Sequence, residues 1–231
     1  MRSEEKEQLR SLLCDLGTAV QSFVIEQRAG LNASQLSEVS SISESDTIYA
    51  IDRFSEEALL RWFNENWPAD NPVEVVAEGL EDHAPVIFPN GTRLADTLYK
   101  VIIDPIDGTR ELMYDKRSAW VIAGLAPQKF DGNQLSDIEV AMLTELPTTK
   151  QSCADQVSGF LGCGRDGIVA IRQNLESGEA QPIQIRPSAA DHVSHGFAAL
   201  VKFFPEGKEL TAQIGRELWQ ALDLYGEDAS P

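Results

Sequence analysis

Two carboxylates three residues apart, Asp104 and Asp107, close the run Val101-Ile102-Ile103, and Gly108 and Thr109 follow at once. Carboxylates this close repel each other unless a cation neutralises them or one takes up a proton. Hard carboxylate oxygens with a hydroxyl beside them suit Mg²⁺. The same Asp-Pro-x-Asp spacing is also ordinary turn chemistry, and taken alone the stretch fits both readings equally. The β-branched run before it reads as a buried strand. Pro105 offers no N–H to a ladder and biases Asp104 towards extended backbone, which predicts Asp104 as the strand's last residue. The turn would then bring Asp107 back beside Asp104, and Gly108 would let the backbone come close to a ligand.

A second acid-ended strand tips the balance towards a metal site. Val73-Glu74-Val75-Val76-Ala77 is a short apolar strand that ends on Glu78-Gly79. Two strands delivering acids to one sheet edge form a metal-holding constellation if they are neighbours. Other candidates have plainer explanations. Asp52 borders the apolar face of a predicted helix, where a solvated surface charge is the simplest reading. His83 falls in a loop, and the pair His192 and His195 fits a loop before a strand better than a metal site.

The elements that must position these residues can be read in order. Leu9, Leu12, Leu13, Leu16, Val20, Phe23 and Val24 make a helical stripe over Glu4–Gln27, ended near Gly30. The serine- and acid-rich stretch from Asn32 to Asp46 reads as a mobile connection. A second helix is predicted over Thr47–Asn66, stopped by Pro68. Between the acid-ended strands, Leu80–Thr97 is an excursion with a hairpin signal at Pro89-Asn90-Gly91-Thr92. Arg110–Tyr114 reads as a short helical turn whose first N–H groups, with those of Gly108 and Thr109, could face an anion. Further strands follow at Ala119–Leu125 and Ile138–Leu143, with edge or hairpin strands at Gly167–Arg172 and Gln181–Arg186. The glycine-rich segment between Ser152 and Gly167 reads as loop. Beyond Pro187 come a strand at Phe197–Phe204 and a helix at Glu206–Leu222.

Composition excludes more than it identifies. The chain has 231 residues, 42% apolar and 24% charged, ordinary values for a soluble globular protein. Its net charge is −18, from 37 acidic and 19 basic residues. That balance leaves no basic patch for a nucleic-acid polymer or an anionic membrane. Cys14, Cys153 and Cys163 are too few and too scattered for a disulfide framework or a zinc site, and Cys14 reads as a small buried hydrophobe. The N-terminal Met-Arg-Ser-Glu-Glu-Lys-Glu has no apolar core, so it is not read as a signal peptide, and no run reaches membrane-spanning length. A cytoplasmic protein is the expectation.

With Glu78-Gly79 and Asp104-Pro105-Ile106-Asp107-Gly108-Thr109 both at strand ends, the chain resembles the inositol monophosphatase-like superfamily of Mg²⁺-dependent, lithium-sensitive phosphatases. The second motif matches that superfamily's D-P-I/L-D-G-T signature residue for residue. The order of elements supports the likeness over most of the chain, and Asp52 falls where the family carries a further acid on its second helix. Two departures stand out. The family's G-E-E motif is here Ala77-Glu78-Gly79, which keeps only the first carboxylate. Its later W-D-x-A segment, which completes a second metal site, has no counterpart up to Pro231, and neither Asp223 nor Asp228 fits its pattern.

The resemblance implies an α+β fold, a layered α/β sandwich of the sugar-phosphatase kind, with a mostly antiparallel sheet and an N-terminal helix pair. It implies an N-terminal metal-binding domain over residues 1–187 and the start of a truncated C-terminal α/β domain over 188–231. In that reading Glu78, Asp104 and the Ile106 carbonyl bind one Mg²⁺, and Asp104 and Asp107 bind a second. Glu78 and Thr109 orient the attacking water, Asp52 assists from behind, and Asp107 with the N–H groups of Gly108 and Thr109 holds the substrate. The activity implied is hydrolysis of a small phosphorylated polyol, sugar or nucleotide. Arg110-Glu111 after the motif leans towards the bisphosphate nucleotidase branch. A homodimer is the assembly common in the family. The missing segment motivates an alternative: a fragment, or a relative that binds Mg²⁺ and phosphate without efficient turnover.

Overall fold

The computed structural model describes residues 1–30, 39–42, 47–78, 80, 85–164, 167–189, 200 and 207–221, with backbone alone for 39–42, 47–50 and 52–54. The chain divides into two compact units, Met1–Gln184 and Ile185–Pro231.

The first unit is built on two helices laid against one face of a sheet. Helix α1 (Ser3–Gly30) buries Leu9, Leu13, Leu16, Val20 and Val24, the i, i+3/i+4 stripe that a core-facing helix needs. Strands β1 (Val39–Ile42) and β2 (Thr47–Tyr49) pair antiparallel as a separate two-stranded sheet. The expected connection over Asn32–Asp46 therefore contains a strand, and helix α2 (Ala50–Asn66) starts three residues later than expected. Val39, Ile42, Ile48 and Tyr49 are strand formers, and the serines between them mask the pattern. In α2, Ile51, Ala58, Leu59, Trp62 and Phe63 are buried, and Phe63 stacks on Phe88 with ring centroids 5.3 Å apart.

The main sheet has eight strands: β3 (Val73–Ala77), β4 (Val86–Phe88), β5 (Tyr99–Asp107), β6 (Ala119–Pro127), β7 (Val140–Leu146), β8 (Cys153–Phe160), β9 (Val169–Asn174) and β10 (Ala180–Pro182). They lie in the order β10-β9-β8-β7-β6-β5-β3-β4. Every pair is antiparallel except β3 with β5. Alternate residues Val101, Ile103, Val121, Ala123, Val140 and Met142 turn into the core beneath the helices. The turn signal at Pro89–Thr92 is a real turn, with Thr92 N–H donating to the Pro89 carbonyl at 3.2 Å. It leads out of β4 into a short 3₁₀ turn at Leu94–Asp96 rather than joining two paired strands.

Strand β8 corrects the expected loop between Ser152 and Gly167. It is a sheet-interior strand between β7 and β9 although its core-side residues include Gln156 and Ser158. Both are satisfied: the Gln156 amide donates to the Cys14 carbonyl (3.0 Å) and Thr144 Oγ1 (2.8 Å), and Arg10 donates to Ser158 Oγ (2.8 Å). Polar side chains with such partners can be buried without the cost of a lost hydrogen bond.

In the second unit, helix α4 (Lys208–Ala221) falls within the span expected for it. Leu210, Ile214 and Leu218 on its apolar stripe are exposed. The strand expected at Phe197–Phe204 lies outside the described residues apart from Leu200, as do Gly79, His83, His192 and His195. Among the described residues no helix is long and apolar enough to cross a membrane.

Candidate active site

The parallel pairing of β3 with β5 brings the two acid-ended strands together. Val73 to Ala77 lie opposite Tyr99 to Ile103 in unbroken register. One residue further on, the Glu78 N–H donates to the Ile103 carbonyl at 3.3 Å, which sets Glu78 beside Asp104. The neighbour relation that a metal reading requires is thus present in the backbone. Glu78 is exposed at the strand end.

Strand β5 does not stop at Asp104, as Pro105 predicted; it continues to Asp107 through an irregularity. Asp104 pairs with Ile122 and Asp107 with Trp120, so three steps along β5 match two along β6. One extra residue in a strand is a β-bulge, and bulges re-aim side chains. Without it, residues 104 and 107 would lie on opposite faces. With it, both register with the face that carries Trp120 and Ile122, away from the helices. Pro105, with no N–H to contribute, falls where the ladder is interrupted. Asp104 Oδ1 accepts the Ile106 N–H at 3.0 Å, closing the turn over Pro105 with its own side chain.

The chain then leaves the sheet through Gly108, at φ 101°, and enters helix α3 (Thr109–Met113). A Cβ at Gly108 would lie 3.4 Å from Ala119 Cβ, an ordinary contact, so it is the left-handed conformation that favours glycine. The Leu112 N–H donates to the Gly108 carbonyl at 3.1 Å, and Leu112 and Met113 are buried in the core. Thr109 Oγ1 donates to the Ile106 carbonyl at 2.9 Å. That commits the hydroxyl proton to the motif's own backbone, so towards any water the Thr109 oxygen can act only as acceptor.

Beyond α3, Asp115 adopts φ 52°, left-handed for a residue that is not glycine. Its carboxylate accepts Arg28 Nη2 (2.8 Å), the Thr149 N–H (2.7 Å) and Thr149 Oγ1 (2.6 Å). The Thr149 hydroxyl, the Thr149 amide and the Arg28 charge hold its pKa down to about 2.

Asp52 lies in the first turn of α2, a helix that packs against α3; its side chain is outside the described residues. Asp107 is exposed, and its side chain makes no hydrogen bond or ion pair among the described residues. Also among the described residues, no three His, Cys, Asp or Glu side chains converge as a metal-holding group. What unites Glu78, Asp104 and Asp107 is therefore backbone register, and the donor set they offer, carboxylates plus the Ile106 carbonyl, is the hard-oxygen kind that suits Mg²⁺. Sequence reading missed the bulge, the Thr109–Ile106 bond and the Asp115 cluster. Asp is among the residues that tolerate a left-handed backbone, the one local signal at Asp115.

The architecture is shared with solved structures. Leishmania major fructose-1,6-bisphosphatase in holo form is 16% identical, over 79% of this chain and 55% of that one, with a TM-score of 0.52. Mycobacterium tuberculosis SuhB is 15% identical over 81% of this chain and 55% of that one, with a TM-score of 0.47. CysQ from Bacteroides thetaiotaomicron, a bacterial member of the inositol monophosphatase family, is 16% identical over 91% of this chain and 69% of that one, with a TM-score of 0.44. The fold assignment rests on the first of these, and this chain spans little more than half of its length. No protein-family model and no curated protein sequence matches the chain. The α+β sandwich with a mostly antiparallel sheet is borne out, and so, at the level of fold, is the resemblance carried by Asp104 to Thr109.

Proposed function

We propose that this chain, built on the fold it shares with fructose-1,6-bisphosphatase, is a Mg²⁺-dependent phosphomonoesterase of the inositol monophosphatase-like superfamily. Its substrate would be a small phosphorylated polyol, sugar or nucleotide. The observation that carries the reading is the bulge in β5, which puts Asp104 and Asp107 on one face, with Glu78 alongside on β3.

Glu78, Asp104, Asp107 and the Ile106 carbonyl would hold the cation. Bound Mg²⁺ supplies Lewis-acid polarisation of the phosphoryl group and a lower pKa for water at neutral pH. The chain's own residues do the rest. Thr109, its hydroxyl donating to the Ile106 carbonyl, accepts a hydrogen bond from the attacking water and so fixes where the water's lone pair points. Glu78 is the second acceptor for that water and the group that takes its proton. The N–H groups of Gly108 and Thr109 hold phosphate oxygens, with Asp107 turned to the rest of the substrate. Asp52 orients a further water from α2.

The test is phosphate release from a panel of inositol monophosphates, sugar phosphates and a 3′-phosphonucleotide, with and without Mg²⁺. Release that requires Mg²⁺ and disappears in Asp104→Asn supports the proposal. Mg²⁺ binding without release from any member would favour the non-catalytic alternative, and neither binding nor release would remove the proposal altogether.

A further inference from the structure

Helix α3 is a single turn, too short to be stable by itself, yet it directly follows the acid motif. Its start is fixed by Gly108, and Leu112 and Met113 seat the turn in the core. Its other end is fixed by groups far away in sequence. Arg28, from the last turn of α1, has a side chain only 7% exposed. It donates to the Leu112 carbonyl of α3 (3.3 Å), to the Pro147 carbonyl after β7 (2.6 Å) and to Asp115 Oδ1 (2.8 Å). Asp115 in turn grips both the amide and the hydroxyl of Thr149 in the β7–β8 turn, and its own carbonyl accepts Lys150 Nζ at 3.1 Å. Two segments far apart in the chain, the end of α1 and the β7–β8 turn, are thus tied to Asp115, two residues past α3.

We infer that the Arg28–Asp115–Thr149 cluster is a positioning device for the candidate active site: it holds the far end of α3 and thereby sets where Gly108 and Thr109 stand relative to Asp104 and Asp107. The catalytic half of this inference rests on the proposed phosphatase reading. Two observations support it. The charge-assisted bonds to Asp115 are the strong kind, and Asp115, two residues past Met113, is a residue other than glycine in left-handed backbone. Such residues persist only where the surroundings over-determine them. Released at Asp115, the turn would keep its buried Leu112 and Met113 but lose the constraint on its rotation.

Two variants of the full chain test this, Asp115→Asn, which keeps a residue tolerant of left-handed backbone, and Thr149→Val, which removes only the hydroxyl. Amide hydrogen exchange should quicken at Leu112, whose N–H closes α3, by about 10-fold or more, while amides of β6 and β7 keep their protection. In the Mg²⁺-dependent assay kcat should fall by a larger factor than KM rises, since a misplaced Thr109 misdirects the water as well as loosening the phosphate held by the Gly108 and Thr109 N–H groups. Unchanged exchange at Leu112 in both folded variants would overturn the clamp. Faster exchange with an unaltered kcat would overturn its positioning role. If the wild-type chain shows no turnover, the phosphatase reading and the catalytic half fall together, and exchange alone decides whether the clamp exists. Should Asp115→Asn fail to fold, Thr149→Val carries the test.

Discussion

Asp104 and Asp107 share one face of the sheet because β5 gains a residue against β6 between them, Asp104 standing opposite Ile122 and Asp107 opposite Trp120. The acid pair is a product of the bulge, and the bulge falls at the proline that the motif carries between the two acids. This ties the motif's spelling to its geometry. Any change that restored regular pairing would send one carboxylate to the helix side.

Both acids should matter to cation binding separately. Asp104→Asn and Asp107→Asn are each expected to lower Mg²⁺ affinity by about 10-fold or more in calorimetry, because fewer hard anionic oxygens remain. An Asp107→Asn protein with wild-type affinity would show that the two carboxylates do not share a cation.

Gly108→Ala should destabilise the fold by about 1–3 kcal/mol, the cost of holding a side chain at left-handed backbone. The added Cβ meets Ala119 Cβ at 3.4 Å, so crowding adds little to the conformational cost. Denaturant unfolding would measure the loss. A stability equal to wild type would mean that φ at 108 relaxes.

At Gly17 two effects compete. Alanine in mid-helix normally gains about 1 kcal/mol over glycine. Here its Cβ would lie 2.2 Å from Thr144 Oγ1 and 2.8 Å from Met142 Sδ. Thr144 is buried, β-branched and already hydrogen-bonded to Met142 and Gln156, so it cannot swing aside easily. Overpacking of about 1–3 kcal/mol should win. Gly17→Ala is therefore expected to unfold at lower denaturant than wild type.

The legible parts of this chain were those whose core side is apolar at a regular period: α1, α2, β3, β6 and β7. Strand β8 was illegible because it turns Gln156 and Ser158 inward, and only α1, far away in sequence, supplies their partners. Pro105 gave a correct local message, no ladder N–H, from which a strand end followed; that β6 would accept the interruption as a bulge was written in another strand. Arg28, Asp115 and Thr149 carry no common pattern because nothing links them until the fold is complete. At the site, the identities of Glu78, Asp104 and Asp107 were readable, and their shared edge was not.

Stability should respond to acid through Asp115. Its folded pKa of about 2 lies below the usual value for an aspartate, so its contribution is present above about pH 4 and is lost as pH falls towards the folded value. The gap in Tm between wild type and Asp115→Asn should be full at pH 6 and shrink steadily between about pH 4 and pH 2. A gap independent of pH over that range would show that the Asp115 charge does not contribute.

The parallel pairing of β3 with β5 also has a consequence for the order of folding. Parallel strands cannot be joined by a tight turn, so the chain after Glu78 must leave the sheet, lay β4 along the outer side of β3 and return at Tyr99. Closing the 21-residue crossover between β3 and β5 costs more entropy before its contacts form than closing the 12 residues between β6 and β7. The acidic edge is thus completed late: a chain halted at its antiparallel stage would already hold Asp104 and Asp107 and still lack Glu78.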